Sequence, residues 1–486
     1  MKTYTRKEFI KLSTAATTAF FLSACGIGNN KKEKTAQTLD TAKKNISATS
    51  PSTPVDLIDK NDTRYDALRS GFNKRFDKYP KVIALCSSTE EVATAIRYAH
   101  EKGLPIAVKS GGHSTEGFSC NDGGMVINLS KLNKVEMLTD NKIKVGPGCT
   151  LSNLYDVLLP QGRLLPAGSC ATVGIGGLTL GGGYGLFSRK FGLTCDHMVE
   201  ATMVDGQGNI HSTKDDRELL WALKGGGAGN FGVVTEMTFN THAAPTLMQG
   251  HYFKARKLNA ERASTILQTW MELAAQLPDS CLSGYVLNGS TLNIVITNYE
   301  PNNDKKLQPL VDKLEGVTDE SKSSHWGKLP IMLKNHYGSD KPVYLRNSSA
   351  GLYKNYTDVS ACINQILEKI ISTPGMIYQV DTLGGKINDE GFKKLSSYPH
   401  RGYDFLSELQ AYWSTPAQDK KLAEATTEIL NIIQHNGITR QYVNYCSLEF
   451  NNWQNAYYGE NYARLQAIKR KYDPNNNICH PQSVKV

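Results

Sequence analysis

At 486 residues the chain exceeds what one ordinary hydrophobic core supports, so two domains are expected. A content of 40% hydrophobic and 21% charged residues is that of a folded soluble protein and excludes a wholly disordered one. Many of the lysines behind the net charge of +9 lie in the first 60 residues, so the excess marks leader and linker rather than a nucleic-acid face.

The chain opens on Thr5-Arg-Lys-Glu-Phe-Ile-Lys11, a short apolar region from Leu12 to Leu22, and Leu22-Ser-Ala-Cys25. A charged segment, an apolar stretch too short to span a bilayer and a small-residue cleavage site make a secretory leader. Leu-Ser-Ala-Cys resembles a bacterial lipoprotein box, which implies export to the cell envelope with Cys25 lipidated. Arg6-Lys7 followed by Phe9-Ile10-Lys11 resembles a twin-arginine signal whose second arginine is Lys, a route that exports proteins already folded around a cofactor. Residues 1–25 are thus expected to be a signal peptide and 26–60, rich in Lys, Asn, Ser and Thr, a disordered tether. Past the leader no apolar run reaches bilayer-spanning length, so membrane contact is expected through the lipid anchor only. The ten cysteines include no CxxC pair and no zinc spacing, so no metal site is expected, and any disulfide pairing is unreadable.

The fold is expected to begin near Tyr65, in a first domain over 61–245. Lys81–Leu85 predicts a strand, and Ser88-Thr-Glu-Glu91 a capping box opening a helix with Val92, Ala95, Ile96 and Ala99 on its apolar stripe. Leu104–Val108 is the next strand, and this β-α-β unit runs into the loop Ser110–Gly117 at a strand end, where ligands are usually received. Met125–Leu129, Lys142–Val145 and Glu200–Val204 predict strands; Leu151–Leu159 and Arg217–Leu223 predict helices. A second domain, 246–436, is expected from Glu261–Leu277 as a helix, a hairpin turning at Asn288-Gly289, and a helix opening at Thr415. Gln379, Asp381, Glu408, Gln410 and Tyr412 lie on expected strands there; which of them face a pocket is not legible. Residues 437–486 form a terminal segment in which Gln441–Ser447 predicts a strand.

Three glycine clusters dominate the first domain: Ser110-Gly-Gly-His-Ser114, the run from Gly168 to Gly185, and Gly225-Gly-Gly-Ala-Gly-Asn-Phe-Gly232. The second interleaves glycine with Val173, Ile175, Leu178 and Leu180, unlike a flexible linker, which predicts buried backbone closely approached by something large. Bare N–H groups of this kind can hold a diphosphate. A lone histidine in such a loop is more often a hydrogen-bonded turn residue, and a lone cysteine a buried thiol.

The order Ile106-Ala-Val-Lys-Ser-Gly-Gly-His-Ser, Gly-x-Cys-x-x-Val-Gly, Gly-Gly-Gly-Tyr-Gly and Gly-Asn-Phe-Gly-Val-Val-Thr resembles the berberine-bridge-enzyme-like FAD-linked oxidases, over about 65–245 and again at the C-terminus. The resemblance implies an α+β, two-domain PCMH-type FAD-binding fold, with an α/β substrate domain whose antiparallel sheet covers the flavin. It implies FAD bound bicovalently, through His113 to the 8α-methyl and Cys170 to C6. Ser110, Gly111, Gly112 and Ser114 would then meet the diphosphate, Gly174, Gly177 and Gly182 would line the cofactor, and Val233 and Val234 would flank the adenine. Val173 matches a position that influences oxygen access and, being small, implies an oxidase using O2.

Tyr442 and Tyr445 match the family's Tyr-x-Asn-Tyr pattern, which implies Tyr445 as the base that takes the substrate hydroxyl proton, with Tyr442 as partner. Unperturbed, a tyrosine titrates near 10, so it needs help to act as a base. Ser447 stands where the family usually has Asp, and Cys479 where it usually has an aromatic. The expected substrate is a sugar, oligosaccharide or phenolic or secondary-metabolite alcohol, oxidised by hydride transfer with O2 reduced to H2O2. A dehydrogenase passing electrons to a quinone or protein, and a non-catalytic envelope binding protein, are the alternatives; no nucleic-acid partner is expected.

Overall fold

The computed structural model describes residues 54–338 and 340–486. The leader, the lipoprotein box and the tether up to residue 53 lie outside the described residues. The fold starts earlier than the sequence suggested. Asp56–Ile58 is a strand antiparallel to Val82–Leu85, with Ile58 fully buried, so 56–60 is not tether. Three residues are too few to show an alternating pattern, which is why composition alone assigned them to the linker.

Among the described residues the first domain holds two larger sheets and a short antiparallel pair, Arg163–Leu164 with His242–Ala243. In the smaller of the two sheets, Val82–Leu85, Met125–Asn128 and Ile106–Lys109 run parallel in that order, with Asp56–Ile58 at the edge. Its strands are buried nearly throughout, as parallel strands covered on both faces must be. Ser88 caps the helix Thr89–Glu101 by accepting from Glu91 N at 3.1 Å. The reciprocal arm of the capping box lands one residue early, Glu91 accepting from Ser87 N at 2.7 Å. The second sheet is antiparallel, in the order Val135–Met137, Lys142–Val145, Gly232–Asn240, Met198–Asp205, Ile210–Ser212.

The second domain is one large antiparallel sheet. Its path runs Glu320–Ser323, Leu247–Ala255, Thr291–Asn298, Cys281–Asn288, Met376–Thr382, Phe405–Trp413, Tyr344–Tyr353. The hairpin forms as expected but turns on Gly289-Ser290, since Asn288 already pairs with Thr291; Gly289 supplies the positive φ of +53°. The helices Ala260–Ala274, Ile363–Ser372 and Pro416–His435 pack behind this sheet, and Trp270 Nε1 donates to Ser283 Oγ at 2.8 Å. Alternation along the strands then fixes the other face. Asn347 lies opposite Gln410, and Gln379 opposite Glu408, so these side chains share the face turned from Trp270 towards the first domain.

The C-terminal segment returns to the first domain. Lys469 Nζ, fully buried, donates to Asp473 at 2.6 Å, Asn230 O at 2.6 Å and Ile478 O at 2.8 Å, fastening this segment to the third glycine cluster. Gln441–Ser447 is not the strand expected from its sequence, in which Tyr442 and Tyr445 stand three apart. Only a single 3-10 turn, Val443–Tyr445, forms there, because the segment is pinned by side-chain bonds instead of a ladder.

Candidate active site

The first two glycine clusters touch backbone to backbone. A Cβ on Gly111 would lie 2.3 Å from Gly174 N, and one on Gly174 would lie 2.1 Å from Ser110 Oγ and 2.4 Å from Gly111 N. Ser110 Oγ donates to Pro147 O at 2.6 Å, and Ser114 Oγ accepts from Phe118 N at 2.9 Å, so both hydroxyls hold the loop. Gly112 has φ +73°, and the N–H groups of Gly111, Gly112, His113 and Ser114 meet no backbone carbonyl among the described residues. Such a turn is a concave cluster of donors suited to an anion. At Gly177 an added Cβ would stand in open space, with nothing within 4 Å.

That space is a cavity with an empty volume of about 2200 Å³, open mouth included, between the two domains and the C-terminal segment. Ser110, Gly111, Gly112, His113, Ser114, Cys170, Val173, Gly174, Gly177, Val234 and Tyr445 all line it. Gly182 and Val233 do not. Gly182 packs against Tyr398 and Tyr442, and Val233 faces the core under the parallel sheet.

His113 Nε2 lies 2.9 Å from Thr172 Oγ1, and the Phe72 ring stacks on the imidazole at 4.3 Å between centroids and 18° between planes. Burial holds its pKa down to about 4, so the ring is neutral near pH 7. Burial, then the Glu408 carboxylate, push the Cys170 thiol up to about 11.

The large sheet forms the roof. Tyr412 Oη donates to Gln410 Oε1 at 3.0 Å, Gln410 Nε2 to Gln379 Oε1 at 3.3 Å, and Gln379 Nε2 to Asp381 Oδ2 at 2.7 Å. Asn347 Nδ2 donates to Glu408. Burial raises Glu408 to about 7 and Asp381 to about 8. Tyr445 lies within electrostatic reach of both, and burial first, then those carboxylates, drive its phenol pKa well up. No Lys or Arg lines the cavity among the described residues, and Glu408 is its one carboxylate there.

Tyr442 is placed differently from its expected catalytic role. It is 2% exposed, lies off the cavity wall, and its Oη accepts from Gly183 N at 3.0 Å, Tyr184 N at 3.3 Å and Asn444 Nδ2 at 3.0 Å. Its ring meets the Tyr445 ring edge-on at 5.1 Å. Ser447 lies away from these tyrosines' hydroxyls: its N–H donates to Tyr457 Oη at 3.0 Å and its carbonyl accepts from Gln482 Nε2 at 2.7 Å.

Residues 80–214 match the FAD binding domain family, and residues 441–485 the berberine and berberine like family. A chitooligosaccharide oxidase of Gibberella zeae is 31% identical over 446 residues, 86% of this chain and 89% of that one. The chain belongs to the berberine-bridge-enzyme-like FAD-linked oxidoreductases. A glucooligosaccharide oxidase of Sarocladium strictum is 29% identical across 90% of this FAD-linked oxidoreductase and 94% of the relative. In structure, an aclacinomycin oxidoreductase superposes with TM-score 0.80 at 26% identity, covering 89% of this chain and 100% of the other. The likeness therefore extends through the middle domain, beyond the two stretches whose motifs carried it in the sequence.

The oxidoreductase's own residues fit FAD. The unpaired N–H groups at Gly111–Ser114 suit its diphosphate, and Gly177 leaves the room a side chain would fill. Sequence reasoning left Asp381 and Glu408 without a role and passed over Asn347 and Thr172. The one signal for Thr172 was its place two residues after Cys170 in the second glycine cluster.

Proposed function

We propose that this protein is an oxidase with bicovalently held FAD that oxidises the alcohol or hemiacetal carbon of an uncharged, hydroxyl-rich molecule, a sugar or oligosaccharide, with O2 reduced to H2O2. The observation that carries the reading is the convergence of His113, Cys170 and Tyr445 on one cavity whose roof offers Asn347, Glu408 and Gln410. Amide and carboxyl groups alternating on one sheet face bond vicinal hydroxyls, and an interior that among the described residues has no Lys or Arg gives an anionic substrate no counter-ion.

Bound at this site, FAD supplies a two-electron acceptor for hydride. The chain's residues do the rest. Backbone N–H groups at 111–114 hold the diphosphate, and His113 and Cys170 fix the ring by covalent bonds. Tyr445 Oη takes the substrate's hydroxyl proton as the C–H bond breaks. Because burial keeps the phenol protonated, its own proton passes on to Glu408, half ionised near pH 7 with its raised pKa of about 7, or to Asp381 above its value of about 8. Val173 beside Cys170 leaves room for O2. Relatives named for chitooligosaccharide and glucooligosaccharide oxidation support the substrate class, and the leader supports a lipid-anchored place in the cell envelope.

The test is acid precipitation of the purified protein, peptide mapping of the flavin, and a substrate screen coupled to peroxide detection. Flavin on both the His113 and Cys170 peptides, with peroxide formed from neutral oligosaccharides, is the expected result. A colourless pellet overturns the covalent reading, and slow reoxidation of the reduced protein by air overturns the oxidase reading.

A further inference from the structure

We propose that Thr172 is the positioning residue that commits His113 to bonding the flavin through Nδ1. The inference rests on the covalent attachment proposed above.

An imidazole has two nitrogens, and in its neutral form one carries the proton while the other holds the lone pair. At His113 the choice is made by its surroundings. Thr172 Oγ1 stands 2.9 Å from Nε2, while Nδ1 has no hydrogen-bond partner among the described residues. Phe72 covers one ring face at 4.3 Å and holds the ring plane, and a half-turn within that plane would lose the Thr172 contact. With Nε2–H donated to Thr172, the Nδ1 lone pair is left to react.

Thr172 is itself fixed by the turn that carries Cys170. Val173 N donates to Cys170 O at 3.2 Å, and Ala171 N to Tyr337 O at 3.2 Å. One turn therefore presents the thiol of one anchor and orients the imidazole of the other. A hydroxyl suits the task because it can accept before the bond forms and donate afterwards.

The step balances. The Nδ1 lone pair forms a bond to the 8α carbon, which loses one C–H proton, and the cofactor gains two electrons. The imidazole then loses its Nε2 proton, and Thr172 reverses to donate to Nε2. O2 removes the two electrons with two protons as H2O2, which restores the oxidised, linked cofactor.

The experiment is peptide mapping of the full-length protein as the wild type and as Thr172→Val and Thr172→Ser. In metal sites, the partner of an imidazole's second nitrogen is worth 10–100-fold, so T172V is expected to lower flavin on the His113 peptide by about tenfold or more. Flavin on the Cys170 peptide should stay, and T172S should restore the His113 linkage. Equal His113 labelling in wild type and T172V overturns the inference alone, as does a tenfold loss in T172S. A wild-type His113 peptide without flavin overturns the covalent reading and this inference together. Should T172V lose the cofactor entirely, Thr172→Ala, smaller and equally without a hydroxyl, is read by the same criteria.

Discussion

Gln379 Nε2 donates to Asp381 Oδ2 at 2.7 Å, while Asp381 Oδ1, fully buried, has no hydrogen-bond partner among the described residues. Burial lifts its pKa to about 8, so this bare oxygen, within electrostatic reach of the Tyr445 phenol, can take a proton once Asp381 ionises above that pH. Asp381→Asn keeps the shape and the amide bond but removes that acceptor. It should lower kcat by about 10²-fold or more, the range of a lost general base, with flavin content and Tm near wild type. Unchanged kcat would assign the proton to Glu408.

Tyr445 and Tyr442 should separate in their effects. On the proposed role of Tyr445 as base, Tyr445→Phe is expected to cut kcat by about 10²–10⁴-fold. Tyr442→Phe strands the N–H groups of Gly183 and Tyr184 and the Asn444 amide. A buried donor left unpaired costs about 1–3 kcal/mol, so Tm should fall while kcat changes less. Steady-state kinetics and thermal melts on the same preparations check both.

Stability should peak near neutrality. Burial raises Glu408 to about 7 from 4.5 and Asp381 to about 8 from 3.8. Between those values the unfolded chain binds fewer protons than the native one, so stability falls as pH rises. His113, His197 and His336 act oppositely: burial holds each near 4 against an ordinary 6.5, so stability rises with pH across that window. Melting across pH 4–9 should give a maximum at about pH 6–7, and the D381N/E408Q double variant should steepen the acid limb and flatten the fall above the maximum.

Two glycines should respond in contrast. Gly174→Ala drives a Cβ to 2.4 Å from Gly111 N, so the loops must part; about 1–3 kcal/mol of stability and much of the flavin should be lost. Gly177→Leu meets no protein atom near its Cβ, so Tm without cofactor should hold while flavin content falls. Absorbance at the flavin band against protein, with melts, reads both.

The glycine clusters were legible because glycine has few other reasons to alternate with buried aliphatics. They located His113, Cys170 and most of the cavity floor. Which face a residue took was not legible. Val233 and Val234 are neighbours on one strand, and only Val234 reaches the cavity, because successive side chains point opposite ways. The roof failed for the same reason: a one-residue slip exchanges Glu408, Gln410 and Tyr412 for Leu409 and Ala411. Gln441–Ser447 was expected to be a strand, yet its aromatics are placed by the bonds Tyr442 and Asn444 make to another loop, a constraint with no signature along the chain.

Asn444, Tyr445, Tyr457, Tyr458 and Gln482 wall the cavity together with Ser110–Ser114, which lies more than three hundred positions earlier. A ribosome delivers the floor of this chamber well before its far wall, since chains emerge from the N-terminal side. The far wall is therefore completed only when residues 441–485 arrive and Lys469 fastens them to the third glycine cluster at Asn230. Loading is thereby tied to completed synthesis: a truncated product has an open chamber, and only a finished chain can be sealed around what it carries.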